Sequence, residues 1–144
     1  WPTLVAIGAA LGIGRAIDTT GLAAFSATHL ITIFEGFGPV GVLAGVYLLT
    51  LIFTENVTNN AAAALAFPIA HAAATSLGVN FMPFAIVIAM PPSGGFRTPL
   101  GYQTHLMVYG VGGYRFSDFV KIGVPLDILV MIVTLILTPW FYPL

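Results

Sequence analysis

Two polar breaks in an otherwise apolar chain hold the residues that could do chemistry. The first is Thr54-Glu55-Asn56-Val57-Thr58-Asn59-Asn60, set between the uncharged runs 40–53 and 61–74. The second is Pro91-Pro92-Ser93-Gly94-Gly95-Phe96-Arg97-Thr98-Pro99, set between the apolar segments 81–90 and 100–111. The amides of Asn59 and Asn60 and the hydroxyls of Thr58 and Thr98 can hydrogen-bond the oxygens of carboxylate, sulfate or phosphate. A helix starting at Asn59–Asn60 would add unpaired N–H groups and about half a positive charge. So would a second helix, with Thr98 as N-cap and Pro99 as its first residue. That combination binds anions. Thr58, Asn59, Asn60, Thr98, Pro99 and Arg97 are therefore the candidate anion-binding residues. Carbonyls freed upstream, from Thr54 to Val57 and from Ser93 to Phe96, can hold a hard cation such as Na⁺. Its candidate ligands are Thr54, Asn56, Val57, Asn59, Gly94 and Gly95.

The charged residues each have two readings. An arginine near the middle of a bilayer is costly and marks function by default. Arg97 either meets the substrate anion or pairs with Glu55 or another acid, and pairing is the favoured reading. Glu55 is a cation ligand, a proton carrier or a packing residue of the hairpin. His105 is close enough to the second break to serve the site or merely to pack. His71 reads as a packing residue on an alanine-rich helix, His29 as an interfacial one, and Asp127 as a first-turn charge near the inner surface favoured by the helix dipole. The chain has no Gly-Xaa-Ser-Xaa-Gly, no paired metal-ligand histidines and no phosphate-binding glycine loop. An enzyme is not expected.

What must position these residues is a membrane. The 144 residues are 58% hydrophobic and 6% charged, against about 25% charged in soluble domains. The net charge of -1 excludes a basic nucleic-acid surface. Without cysteine there is neither a disulfide nor a thiolate metal site. Trp1 opens into an apolar run with no signal peptide, which reads as a piece of a longer protein. The expected elements form one all-α membrane domain: a membrane helix over 1–19, an interfacial arm helix and linker over 20–38, a re-entrant hairpin over 39–78, a broken membrane helix over 81–113 and a last membrane helix over 122–143. Irregular backbone at membrane depth is tolerated only where it is buried in protein or lines a wet cavity. Hairpin arms of about 14 to 17 residues would reach about 21 to 25 Å, and either arm could instead be a short full span. Arg115 and Lys121 place the loop before the last helix on the cytoplasmic side, so the hairpin enters from outside. Arg15 and Asp18 neutralise one another at the outer face, and Trp140, Phe141 and Tyr142 form an aromatic belt.

The motifs TENVTNNAAAALAFPIA and TPLGYQTHLMVYGVGGYRFSDFVKIGVPLDILV resemble the C-terminal half of the divalent anion/sodium symporter family, the di- and tricarboxylate and sulfate carriers of the ion-transporter superfamily. The resemblance covers nearly the whole chain. It maps the family's Ser-Asn-Thr hairpin tip onto Thr58, Asn59 and Asn60, and its Thr-Pro onto Thr98 and Pro99. It implies the second inverted repeat of an elevator-type transporter, with a dimeric scaffold, Na⁺ as coupling ion, a small divalent anion as substrate and a first repeat on another segment. The implied location is the inner or plasma membrane, crossed several times. Thr-Asn-Asn in place of Ser-Asn-Thr and the added Arg97 depart from the pattern and leave the choice of anion open. The alternatives are a cation/proton exchanger of the same superfamily, which needs a buried midplane carboxylate, and a non-transporting membrane fragment.

Overall fold

The computed structural model describes residues 2–99 and 103–144. Trp1 and residues 100–102 lie outside the described residues, and with them the junction by which Thr98 and Pro99 would start a helix. Among the described residues the chain is helical without a strand: α1 Pro2–Thr19, α2 Leu22–Phe34, α3 Gly38–Asn56, α4 Asn59–Leu77, α5 Met82–Ala89, α6 Gln103–Gly112 and α7 Phe116–Phe141. Short 3₁₀ turns at Glu35–Phe37 and Pro91–Ser93 precede α3 and follow α5.

α3 lies at the centre. Its buried Val42, Leu43, Val46, Tyr47 and Leu51 pack with alanines of α4 and with Phe84, Val87 and Ile88 of α5. The buried Ala62, Ala66, Ile69 and Ala73 of α4 recur at helical spacing, and three of the four are small enough to bring the helices close. α4 ends as its sequence dictates, with Gly78 at φ +67 donating its N–H to the carbonyls of the last turn.

α1 packs on the other side of α4, and a proline prepares that contact. Pro68 has no N–H to give the Ala64 carbonyl four residues earlier. The same carbonyl faces Gly14 of α1, where an added Cβ would stand 3.0 Å from it. Gly14→Leu should push α1 away from α4 and lower stability by about 1 to 3 kcal/mol. The thermal midpoint of the purified full-length protein reads this directly.

Where a re-entrant hairpin is expected, α3 and α4 follow one another through Val57 and Thr58, and each has 19 residues. The arms are longer than expected because the helices absorb the polar ends. Pro39 sits at the start of α3, Thr54 to Asn56 complete its last turn, and Asn59–Asn60 open α4. Two described helices are long and apolar enough to cross a membrane, α3 and α7. At about 28 Å and 39 Å they match or exceed a hydrocarbon core of about 30 Å. Much of α7 is uncovered, with Leu129, Ile132, Ile136 and Trp140 exposed, an outward apolar face suited to lipid or to protein.

α7 differs from its expected start near residue 122. The Asp118 carboxylate accepts the Arg115 N–H at 2.9 Å and closes a first turn at Phe116, and the helix continues through Pro125. Asp127 is therefore no first-turn charge; it lies well inside a 26-residue helix and is 4% exposed. Arg15 and Asp18 are exposed and form no ion pair among the described residues.

Candidate functional site

At the hairpin tip, Val57 is extended and closes α3 with an N–H bond to the Phe53 carbonyl. Thr58 is the N-cap of α4; its hydroxyl accepts the Ala61 N–H at 3.4 Å. The N–H groups of Asn59 and Asn60, the first two helical residues, stay outside the helix's own hydrogen-bond ladder. Thr54 is buried and its hydroxyl donates to Asn59 Oδ1 at 3.0 Å, which fixes the Asn59 amide across the tip. Thr58 and Asn60 are exposed. Asn56 turns away, its Nδ2 donating to the Ile52 carbonyl at 2.8 Å.

The second break begins where α5 meets Pro91 and Pro92. Ser93 and Gly94 donate their N–H groups back to Met90 and Pro91 at 3.1 and 2.9 Å, and the chain then unwinds through Gly95 to Pro99. Gly94, Gly95 and Pro99 are buried in this segment.

Three segments meet there. Glu55, on the last turn of α3, accepts the Thr98 hydroxyl on Oε2 at 2.6 Å, the length of a charge-assisted bond. Arg97 Nε lies 2.9 Å from Asp127 Oδ2 and 3.7 Å from Glu55 Oε1. Phe96 N–H reaches Asp127 Oδ1 at 3.5 Å. The unwound segment is thereby tied to the hairpin through Glu55 and to α7 through Asp127. Gly123, one helical turn before Asp127, is where α7 touches this segment. A Cβ at that position would overlap the Phe96 carbonyl oxygen and stand 2.8 Å from Arg97 Cα.

The structure thus brings together Thr54 with Asn59, and Glu55 with Arg97, Thr98 and Asp127. The expected pairing of Arg97 with an acid is present and is shared, with Asp127 nearer than Glu55. Asp127 is the residue that sequence reasoning assigned elsewhere. Its signal was available: a carboxylate on a long apolar segment of a chain whose second break carries an arginine. His105 is partly buried between Phe96 and Phe119, with ring centroids 6.4 and 5.8 Å away. His71 packs on Phe67 and Phe81 at 6.3 and 5.3 Å, and His29 on Phe25 at 4.3 Å. Among the described residues no three His, Asp or Glu side chains gather as a metal site. Apart from the Glu55 carboxylate, the oxygens at the tip are those of carbonyls, hydroxyls and amides, a set that suits an alkali ion.

Residues 1–144 match the family described as the sodium:sulfate symporter transmembrane region. Among curated relatives, the chain is 38% identical to the uncharacterized transporter YfbS of Escherichia coli, over 99% of this chain and 23% of the relative. It is 38% identical to sodium/sulfate cotransporter 1 of Chlamydomonas reinhardtii, over 92% of this chain and 15% of the relative. It is 25% identical to the sodium-dependent dicarboxylate transporter SdcS of Staphylococcus saprophyticus, over 99% of this chain and 27% of the relative. The chain thus spans less than a third of each of these proteins. No solved structure matches it.

Proposed function

The chain belongs to the sodium:sulfate symporter family, and from that premise we propose that it supplies the C-terminal half of a secondary transporter that couples Na⁺ to the movement of a small divalent anion. The family is one of transporters and not of enzymes. In our reading sulfate or a dicarboxylate is the substrate, the two anions for which these relatives are named. Thr58, Asn59 and Asn60 with Thr98 and Pro99 take the anion. The neutral oxygens of Thr54, Asn56, Val57, Asn59, Gly94 and Gly95 are the candidates for Na⁺.

The observation that carries this reading is the join between the two breaks. Glu55 of the hairpin holds Thr98 of the unwound segment at 2.6 Å, beside a capped helix start whose first amide is locked by Thr54. A site formed across two such breaks suits a transporter. We read α3–α4 as a re-entrant hairpin that moves with the broken helix and α7 in an elevator against a dimeric scaffold. The first inverted repeat lies on another segment of the same transporter, in the inner or plasma membrane.

A cation/proton exchanger is the second reading, and the buried carboxylate of Asp127 is the observation that favours it. Against it stands Arg97 at 2.9 Å, which already compensates that charge. Uptake of labelled sulfate, succinate and citrate by the full-length transporter in proteoliposomes separates the two. Anion uptake driven by a Na⁺ gradient supports the symporter. Na⁺ flux driven by a pH gradient, without anion uptake, replaces it with the exchanger.

A further inference from the structure

Arginine carries five N–H donors in a planar fork, one on Nε and four on the two terminal nitrogens. Arg97 approaches Asp127 and Glu55 most closely through Nε, and its terminal nitrogens make no hydrogen bond to the described residues. The side chain is 32% exposed while Asp127 is 4% exposed. Asp127 therefore fixes the guanidinium from its inner edge and leaves the outer edge uncommitted. That edge belongs to the residue next to Thr98, which is bonded to Glu55 just before the Asn59 tip. An ion contact at Nε with one carboxylate, and terminal nitrogens that no described residue holds, make a half-used arginine. Its unused half has the geometry that binds two oxygens of one carboxylate or one sulfate.

We propose that Arg97 reads the substrate anion with its terminal nitrogens, and that Asp127 is the positioning residue that aims it. The proposal rests on the symporter reading and deepens it. The recognised class is an oxyanion that presents two acceptor oxygens on one centre, as sulfate and carboxylates do. The pair with Asp127 holds the side chain in one orientation before the anion arrives, so less side-chain freedom is lost on binding.

Arg97→Lys and Asp127→Asn in the full-length transporter test this. Lysine preserves a charge for Asp127 but has no fork, and asparagine preserves an oxygen acceptor but not the charge. In proteoliposomes under a Na⁺ gradient, Arg97→Lys should raise KM for sulfate or succinate by about tenfold or more. The maximal rate should stay within about twofold and the half-saturating Na⁺ should not change. Asp127→Asn should raise KM by several-fold in the same direction. A role confined to the ion pair predicts the opposite, namely wild-type KM in Arg97→Lys, and that result overturns the proposal. Should Arg97→Lys not yield monodisperse protein, Asp127→Asn decides alone: a raised KM supports the proposal and an unchanged KM overturns it. Wild-type protein that takes up neither anion removes the symporter reading itself, and this proposal with it.

Discussion

Arg97→Ala should leave little folded protein, with a loss of stability of about 3 to 5 kcal/mol. The reason lies in what remains. Asp127 is 4% exposed, and without the guanidinium its Oδ2 has no partner while its Oδ1 has only the long bond from Phe96 N–H. Glu55, 11% exposed, loses the same counter-charge. Two partly or fully buried carboxylates would then share one region without a cation. A loss of that size is a large part of the about 5 to 15 kcal/mol that holds a typical domain folded. The double variant Arg97→Ala/Asp127→Ala removes the deeper uncompensated charge and should recover much of the loss. Residues in direct contact couple in this way. Thermal midpoints and the monodisperse yield of the two variants measure both effects. An Arg97→Ala protein as stable as wild type would show that the ion pair holds nothing together.

Gly123→Ala should abolish uptake, by geometry and not by charge. The added Cβ would meet the Phe96 carbonyl oxygen and Arg97 Cα, both backbone atoms with no rotamer to escape into. Either α7 or the unwound segment must shift. Asp127 stands one turn further along the same face of α7, so any shift also moves its carboxylate off Arg97 Nε. Overpacking of this kind costs about 1 to 3 kcal/mol and more where backbone is the obstacle. The neighbouring Ile122→Ala is the control, because Ile122 is exposed and its truncation should leave both uptake and midpoint close to wild type. Wild-type uptake by Gly123→Ala would mean that the unwound segment need not stay against α7.

The two polar breaks were legible because Thr54 to Asn60 and Pro91 to Pro99 interrupt uncharged arms, and a polar cluster in such surroundings has few uses. A helix start at Asn59–Asn60 followed from residue type alone. Asp127 did not. The charges at Arg115, Asp118 and Lys121 read as a loop, whereas Asp118 caps the first turn of a helix that has these charges at its N-terminal end. Placing the helix start too late turned a buried carboxylate into a terminal one. The Asp127–Arg97 pair lies between residues far apart in sequence, and the packing of Gly123 on Phe96 helps bring them together. The Glu55–Thr98 bond joins the two breaks in the same way.

The central claim is that the hairpin tip binds the anion, and Asn59→Ala tests it most directly. Asn59 contributes one internal bond, from the buried Thr54 hydroxyl, and losing that bond costs about 1 kcal/mol. The full-length variant should therefore remain folded, with a midpoint a few degrees below wild type, while Na⁺-driven uptake of sulfate or succinate falls to the level of empty liposomes. Asn59→Ala protein that is folded and still takes up the anion at the wild-type rate would contradict the account, because the tip would then be only a turn between two helices.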